Sequence, residues 1–143
     1  SPKHEFYLNE YSSNKAVVDH VMKLTYEGGN TYISKALVFI KEYFQTSRGS
    51  RINTPKTLVL ITDGNSQDDV EDAANELRDM GIQILAVAIG DVYDLQLLQI
   101  TGDPRKLFTV VNFDSLANIK KKVVEAICPE PSTEPSVCSI DTA

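Results

Sequence analysis

No apolar run in this chain approaches the roughly 18 residues that a membrane span needs. The opening SPKHEFYLNE also lacks the basic-then-apolar layout of a secretory leader, so neither insertion into a membrane nor targeting is written in these residues. Positive charge is in deficit. Fourteen Lys and Arg against twenty Asp and Glu give a net charge of -6, which argues against a nucleic-acid backbone as partner and for a cationic or neutral one. Cysteine is scarce: Cys128 and Cys138 sit late, with neither CxxC spacing nor a nearby His to recruit zinc, leaving a disulfide or free thiols. His4 and His20 are isolated from each other and from the cysteines. Neither a G-x-x-x-x-G-K-[ST] loop nor a G-x-S-x-G elbow occurs, so phosphate-cradling and hydrolase motifs are missing. There is no internal repeat, and no Asn stands in an N-x-Ser/Thr acceptor pattern.

What the chain does have is 143 residues that are 42% hydrophobic, enough for one domain with a core. Strand and helix signals alternate, the signature of an α/β layer fold with a mostly parallel central sheet flanked by helices. EFYL at 5 to 8 reads as a short first strand. Ser12 and Ser13 are good caps for a helix carrying Val17, Val18, Val21, Met22 and Leu24. After Gly28 and Gly29 a second helix begins near Thr31, with Ile33, Ala36, Leu37, Ile40 and Phe44 on one stripe, and the polar, basic loop QTSRGSRINTPK follows. Thr57 to Thr62 reads as a central parallel strand, apolar on both faces. It runs into Asp63-Gly64, with Ser66 as N-cap of the next helix and Asp68, Asp69 and Glu71 at the positive end of its dipole. IQILAVAI up to residue 89 gives a second buried strand, Leu95 to Ile100 a short helix and Leu107 to Val111 a further strand. The last helix opens at Asp114 and turns Leu116, Ile119, Val123 and Ile127 inward. From Pro129 the composition shifts to Pro, Ser, Thr and Glu, so 1–128 is read as the domain and 129–143 as a linker or disordered tail.

Three stretches go beyond generic α/β character: YEGGNTYISKAL at 26 to 37, KTLVLITDGNSQDDV at 56 to 70 and KLFTVVNFDSLANIKKKVVEAIC at 106 to 128. Together they resemble the von Willebrand factor A domain, in particular its extracellular-matrix branch in type VI and other collagens and in matrilins. The resemblance implies a Rossmann-like fold with a metal-ion-dependent adhesion site at the C-terminal ends of its strands, where ligands of open α/β sheets bind. It places Thr31 of GGNT and Asp63 of TDG as ligands of a Mg²⁺ ion. That cation takes six oxygens, commonly one or two carboxylates with hydroxyls and waters, and one open place lets it bridge to a partner's acid. The family's Asp-x-Ser-x-Ser loop is absent from these residues. The resemblance therefore implies an N-terminally truncated domain that begins at the third strand, an incomplete metal site and an exposed apolar strand edge open to self-association.

The implied function is a secreted, extracellular-matrix adhesion or assembly module whose partners are collagen or other matrix proteins, metal-dependent in the intact domain. A metal-independent assembly surface is the alternative. A phosphoryl-transfer enzyme using Asp63 is the rival from another class, and it needs a second acidic cluster and a placed Lys that the sequence does not offer. Each residue also has a plainer reading: Asp63-Gly64 as a turn, Thr31 as a helix N-cap, and Arg48, Arg51 and Lys56 as a charged surface loop.

Overall fold

A computed structural model describes residues 1–25 and 27–128; the expected tail at 129–143, with Cys138, lies outside them. Among the described residues five α-helices and three strands, numbered in chain order, make up the frame: α1 (Asn14–Met22), α2 (Ile33–Ile40), β1 (Lys56–Thr62), α3 (Glu71–Asp79), β2 (Ile82–Ile89), α4 (Asp94–Thr101), β3 (Leu107–Val110) and α5 (Leu116–Ile127). The strands form one parallel sheet in the order β1-β2-β3, with Lys56 opposite Ile82, Thr62 opposite Ala88, and Ala86 opposite Leu107. Each crossover between strands carries a helix, as parallel pairing requires. The α/β expectation holds.

β2 is the central strand, buried on both faces, and its run of Ile, Leu, Val and Ala suits that place. Ile82, Ile84, Ala86 and Ala88 pack on one face against Ile33 and Leu37 of α2, Ala73, Ala74 and Leu77 of α3, and Leu97 and Ile100 of α4. On the other face, α5 is tied down by Gln83, whose side-chain amide donates to the Ala126 carbonyl at 2.9 Å. α3 has Glu71 and Asp72 in its first turn and Arg78 in its last, the order its dipole favours. Arg78 also staples α3 to α4 by donating to the Gln99 carbonyl at 2.8 Å. Gly102 closes α4 in the left-handed region (φ 70°), where a side chain would both strain the backbone and crowd the Arg78 guanidinium.

Three local expectations are corrected. EFYL is not a strand: Leu8 N–H donates to the Arg48 carbonyl, Glu10 N–H turns back to Tyr7, and the segment does not join the β1-β2-β3 sheet. Its rings instead build aromatic clusters, Phe6 edge-on to Tyr11 and His20, and Tyr7 against His4 and Tyr43. Side-chain packing has won over β-propensity there. β1 is an edge strand rather than a central one, and Ile61 is 54% exposed. α5 carries its expected stripe only half-buried, and its opening turn spans Phe113–Ser115, capped by the Asn112 side chain at 3.0 Å from the Ser115 N–H. Among the described residues no helix is long and apolar enough to cross a membrane.

Candidate metal site

β1 ends at Thr62, whose hydroxyl donates to the Gly64 carbonyl at 2.8 Å and accepts from the Gly64 N–H at 3.2 Å. That short turn throws Asp63 out to solvent at the C-terminal end of the sheet. The chain then sweeps across the start of α2. Tyr32 sits at the N-cap of α2 and makes no side-chain cap bond, so the first N–H groups of the helix need partners from elsewhere. They find them in the loop after β1. Ser66 Oγ accepts from Ile33 N–H at 2.8 Å, and the two Asp68 carboxylate oxygens accept from Ser34 at 3.0 Å and Lys35 at 3.1 Å. Gln67 N–H completes the seam by donating to the Thr31 carbonyl at 2.9 Å.

The seam corrects two expected caps and reassigns an acid expected at the α3 dipole. Ser66 does not cap α3, whose N-cap Val70 has no side-chain bond; Thr31 does not cap α2; and Asp68 serves α2 while Asp69 alone turns to Glu71 N–H at 3.1 Å. Burial opposes ionisation of Asp68, but the Ser66 hydroxyl, which bonds it closely, and the Ser34 and Lys35 amides outweigh that and hold its carboxyl below the ordinary value. α4 anchors the loop from the other side. The Gln96 amide accepts from Ser66 N–H at 2.7 Å and donates to the Ser66 carbonyl at 3.1 Å, and Asn65 accepts from Tyr93 N–H at 2.7 Å.

The result brings Thr31 and Asp63 onto one cleft of about 320 Å³, walled by Ile33, Leu60, Ile61 and Phe113. Gly64 permits the approach: a Cβ on it would stand 3.3 Å from the Thr31 hydroxyl. Among the described residues neither the Thr31 hydroxyl nor the Asp63 carboxylate has a hydrogen-bond or ion-pair partner, so two hard oxygen donors face the cleft uncommitted. That donor chemistry fits a small divalent cation which keeps most of its waters. A fuller protein cage is not there, since among the described residues no three His, Cys, Asp or Glu side chains converge.

The sequence pointed to Thr31 and Asp63 but missed the Ser66, Asp68 and Gln96 scaffold. One signal for it was available: α2 opens on Tyr32, with no capping residue of its own at that position.

The family model for the von Willebrand factor type A domain matches residues 1–122. The chain is 43% identical over 143 residues to the collagen alpha-6(VI) chain of Mus musculus, covering 99% of this chain and 6% of that one. It is 32% identical over 133 residues to matrilin-1 of Gallus gallus, covering 91% and 27%. It thus spans a small part of these relatives. Among solved structures it is similar to proximal thread matrix protein 1 of the mussel byssus with a zinc-occupied MIDAS motif, at a TM-score of 0.84 and 25% identity, covering 88% of this chain and 33% of that one. On these matches and on its parallel sheet, the chain belongs to the von Willebrand factor type A domains, of the kind carried by type VI collagens and matrilins.

Proposed function

We propose that this chain is a protein-docking module of the extracellular matrix, in which Thr31 and Asp63 supply oxygen ligands to a Mg²⁺ ion that bridges to an acidic side chain of a collagen or another matrix protein. One observation supports it above the others: two unpaired oxygens from distant parts of the chain share a single cleft at the C-terminal rim of a parallel sheet. With two protein ligands the ion would keep several waters, so its affinity for the chain alone is low and the partner's carboxylate adds to it. Adhesion of this sort makes and breaks no covalent bond. Phosphoryl transfer has less to stand on, since no second carboxylate and no lysine lines the cleft. Secretion into the matrix follows from the same reading, through the relatives rather than any leader in these residues.

A metal-independent surface is the second reading. The exposed apolar side chains Ile61, Tyr93, Val111 and Phe113, carried on the segments at the C-terminal ends of the strands, favour it. Binding of the 143-residue chain to immobilised type VI collagen separates the two. The metal reading expects binding in Mg²⁺ that is lost in chelator and in Asp63→Ala, with the variant's thermal unfolding unchanged. Binding that survives both treatments would transfer the function to the apolar rim.

A further inference from the structure

A second cavity lies at the other end of β1, and its chemistry is the reverse of the first. It holds about 480 Å³ and is bounded by the loop that follows the Thr46–Arg48 turn, by Lys56 and Thr57 of β1, and by Leu8 and Phe44. Every polar side chain on its wall can donate: Ser50, Arg51, Thr54, Lys56 and Thr57. No Asp or Glu lines it.

Apart from Thr54, whose hydroxyl donates to the Arg51 carbonyl at 2.9 Å, these donors are also little committed. Among the described residues Arg51 and Lys56 form no ion pair, and Lys56 reaches only the Thr54 carbonyl at 3.5 Å. The Ser50 and Thr57 hydroxyls have no hydrogen-bond partner there, although Ser50 is among the few buried polar residues. Arg48, beside the cavity in sequence, is held away from it by stacking on Tyr7, with its Nε enclosed and unpaired. In a chain of net charge -6, cations would ordinarily find carboxylates nearby. Here two of them and two free hydroxyls converge on empty space.

We propose that this cavity binds an acidic peptide segment of a partner protein, a carboxylate lying between Arg51 and Lys56 and a neighbouring apolar side chain resting on Leu8 and Phe44. The carboxylate is the natural acceptor for a wall that carries two cations and no acid, and an Arg fork matches it bidentately. The apolar half of the wall selects a peptide over a purely charged polymer: Phe44 packs on the core, while Leu8 is 58% exposed. β1 separates the two sites by about 20 Å, at roughly 3.3 Å per residue, so a ligand here leaves the Thr31 and Asp63 rim free.

The test is amide chemical-shift mapping on the 143-residue chain with the blocked tetrapeptide Leu-Glu-Leu-Glu. The expected result is saturable shifts confined to residue 8 and residues 44–57, weakening as salt rises. Arg51→Gln and Lys56→Gln should each reduce affinity by at least about fivefold, with thermal unfolding unchanged. Inorganic sulfate should compete at the same amides. Equal binding of Leu-Gln-Leu-Gln, shifts scattered over the surface, or unaltered affinity in both variants would overturn the proposal. So would tighter binding of a sulfated polysaccharide at the same amides, which would reassign the cavity to glycans.

Discussion

Asp68 carries more of the architecture than any side chain the motif itself would single out. Its carboxylate closes two open N–H groups of α2 and thereby sets where Thr31 stands relative to Asp63. Its folded-state pKa is depressed, so the stabilisation is complete above the ordinary Asp range and is lost as pH falls from that range through the lowered value. Acid should therefore raise hydrogen exchange at the Ser34 and Lys35 amides before the sheet opens. Asp68→Ala should remove that pH dependence and cost about 1 kcal/mol at neutral pH, as the loss of a helix cap does, read by urea unfolding. Thr31 and Asp63, the proposed metal ligands, could be singled out because TDG and GGNT are local patterns. The cap was not, because its donor and acceptor lie 34 residues apart and a reading along the chain assigns Ser66 and Asp68 to the nearest helix.

At the scale of elements, β1 and β2 look alike in sequence and differ in role. Both are runs of Ile, Leu and Val, and periodicity alone makes each a central strand. Only the strand order separates them: β2 has neighbours on both sides, β1 on one. Ile84→Ala on β2 should cost roughly 2–5 kcal/mol, because its cavity cannot collapse between two packed layers. Ile61→Ala on β1 should cost less than about 1 kcal/mol, since that side chain is already more than half in water. Chemical denaturation of the two variants measures the contrast, and equal losses would mean that β1 is covered in solution. EFYL failed as a strand for a related reason. Propensity named the backbone shape, but Leu8 N–H is spent on the Arg48 carbonyl and the rings of Phe6 and Tyr7 pack on other rings.

For the molecule as a whole, the open side of β1 is the feature to reckon with. It presents seven residues with no proline, bulge or inward charge between Thr57 and Thr62, the devices that ordinarily guard an edge. The 143-residue chain is expected to melt over a broad range and to self-associate as its concentration rises, and Ile61→Lys should suppress the association in sedimentation velocity without lowering helicity. A sharp, concentration-independent melt would count against this. The layered α/β plan was readable from alternating patterns, whereas the order of strands depends on contacts between distant segments, and the bare edge was expected only through the family resemblance. The parallel ladder has one more consequence. With one candidate contact at the Lys56 end of β1 and another at the Asp63 end, tension between two bound neighbours would run lengthwise through that strand, and the seven β1–β2 pairings would bear the load in shear, together, rather than peeling apart in turn.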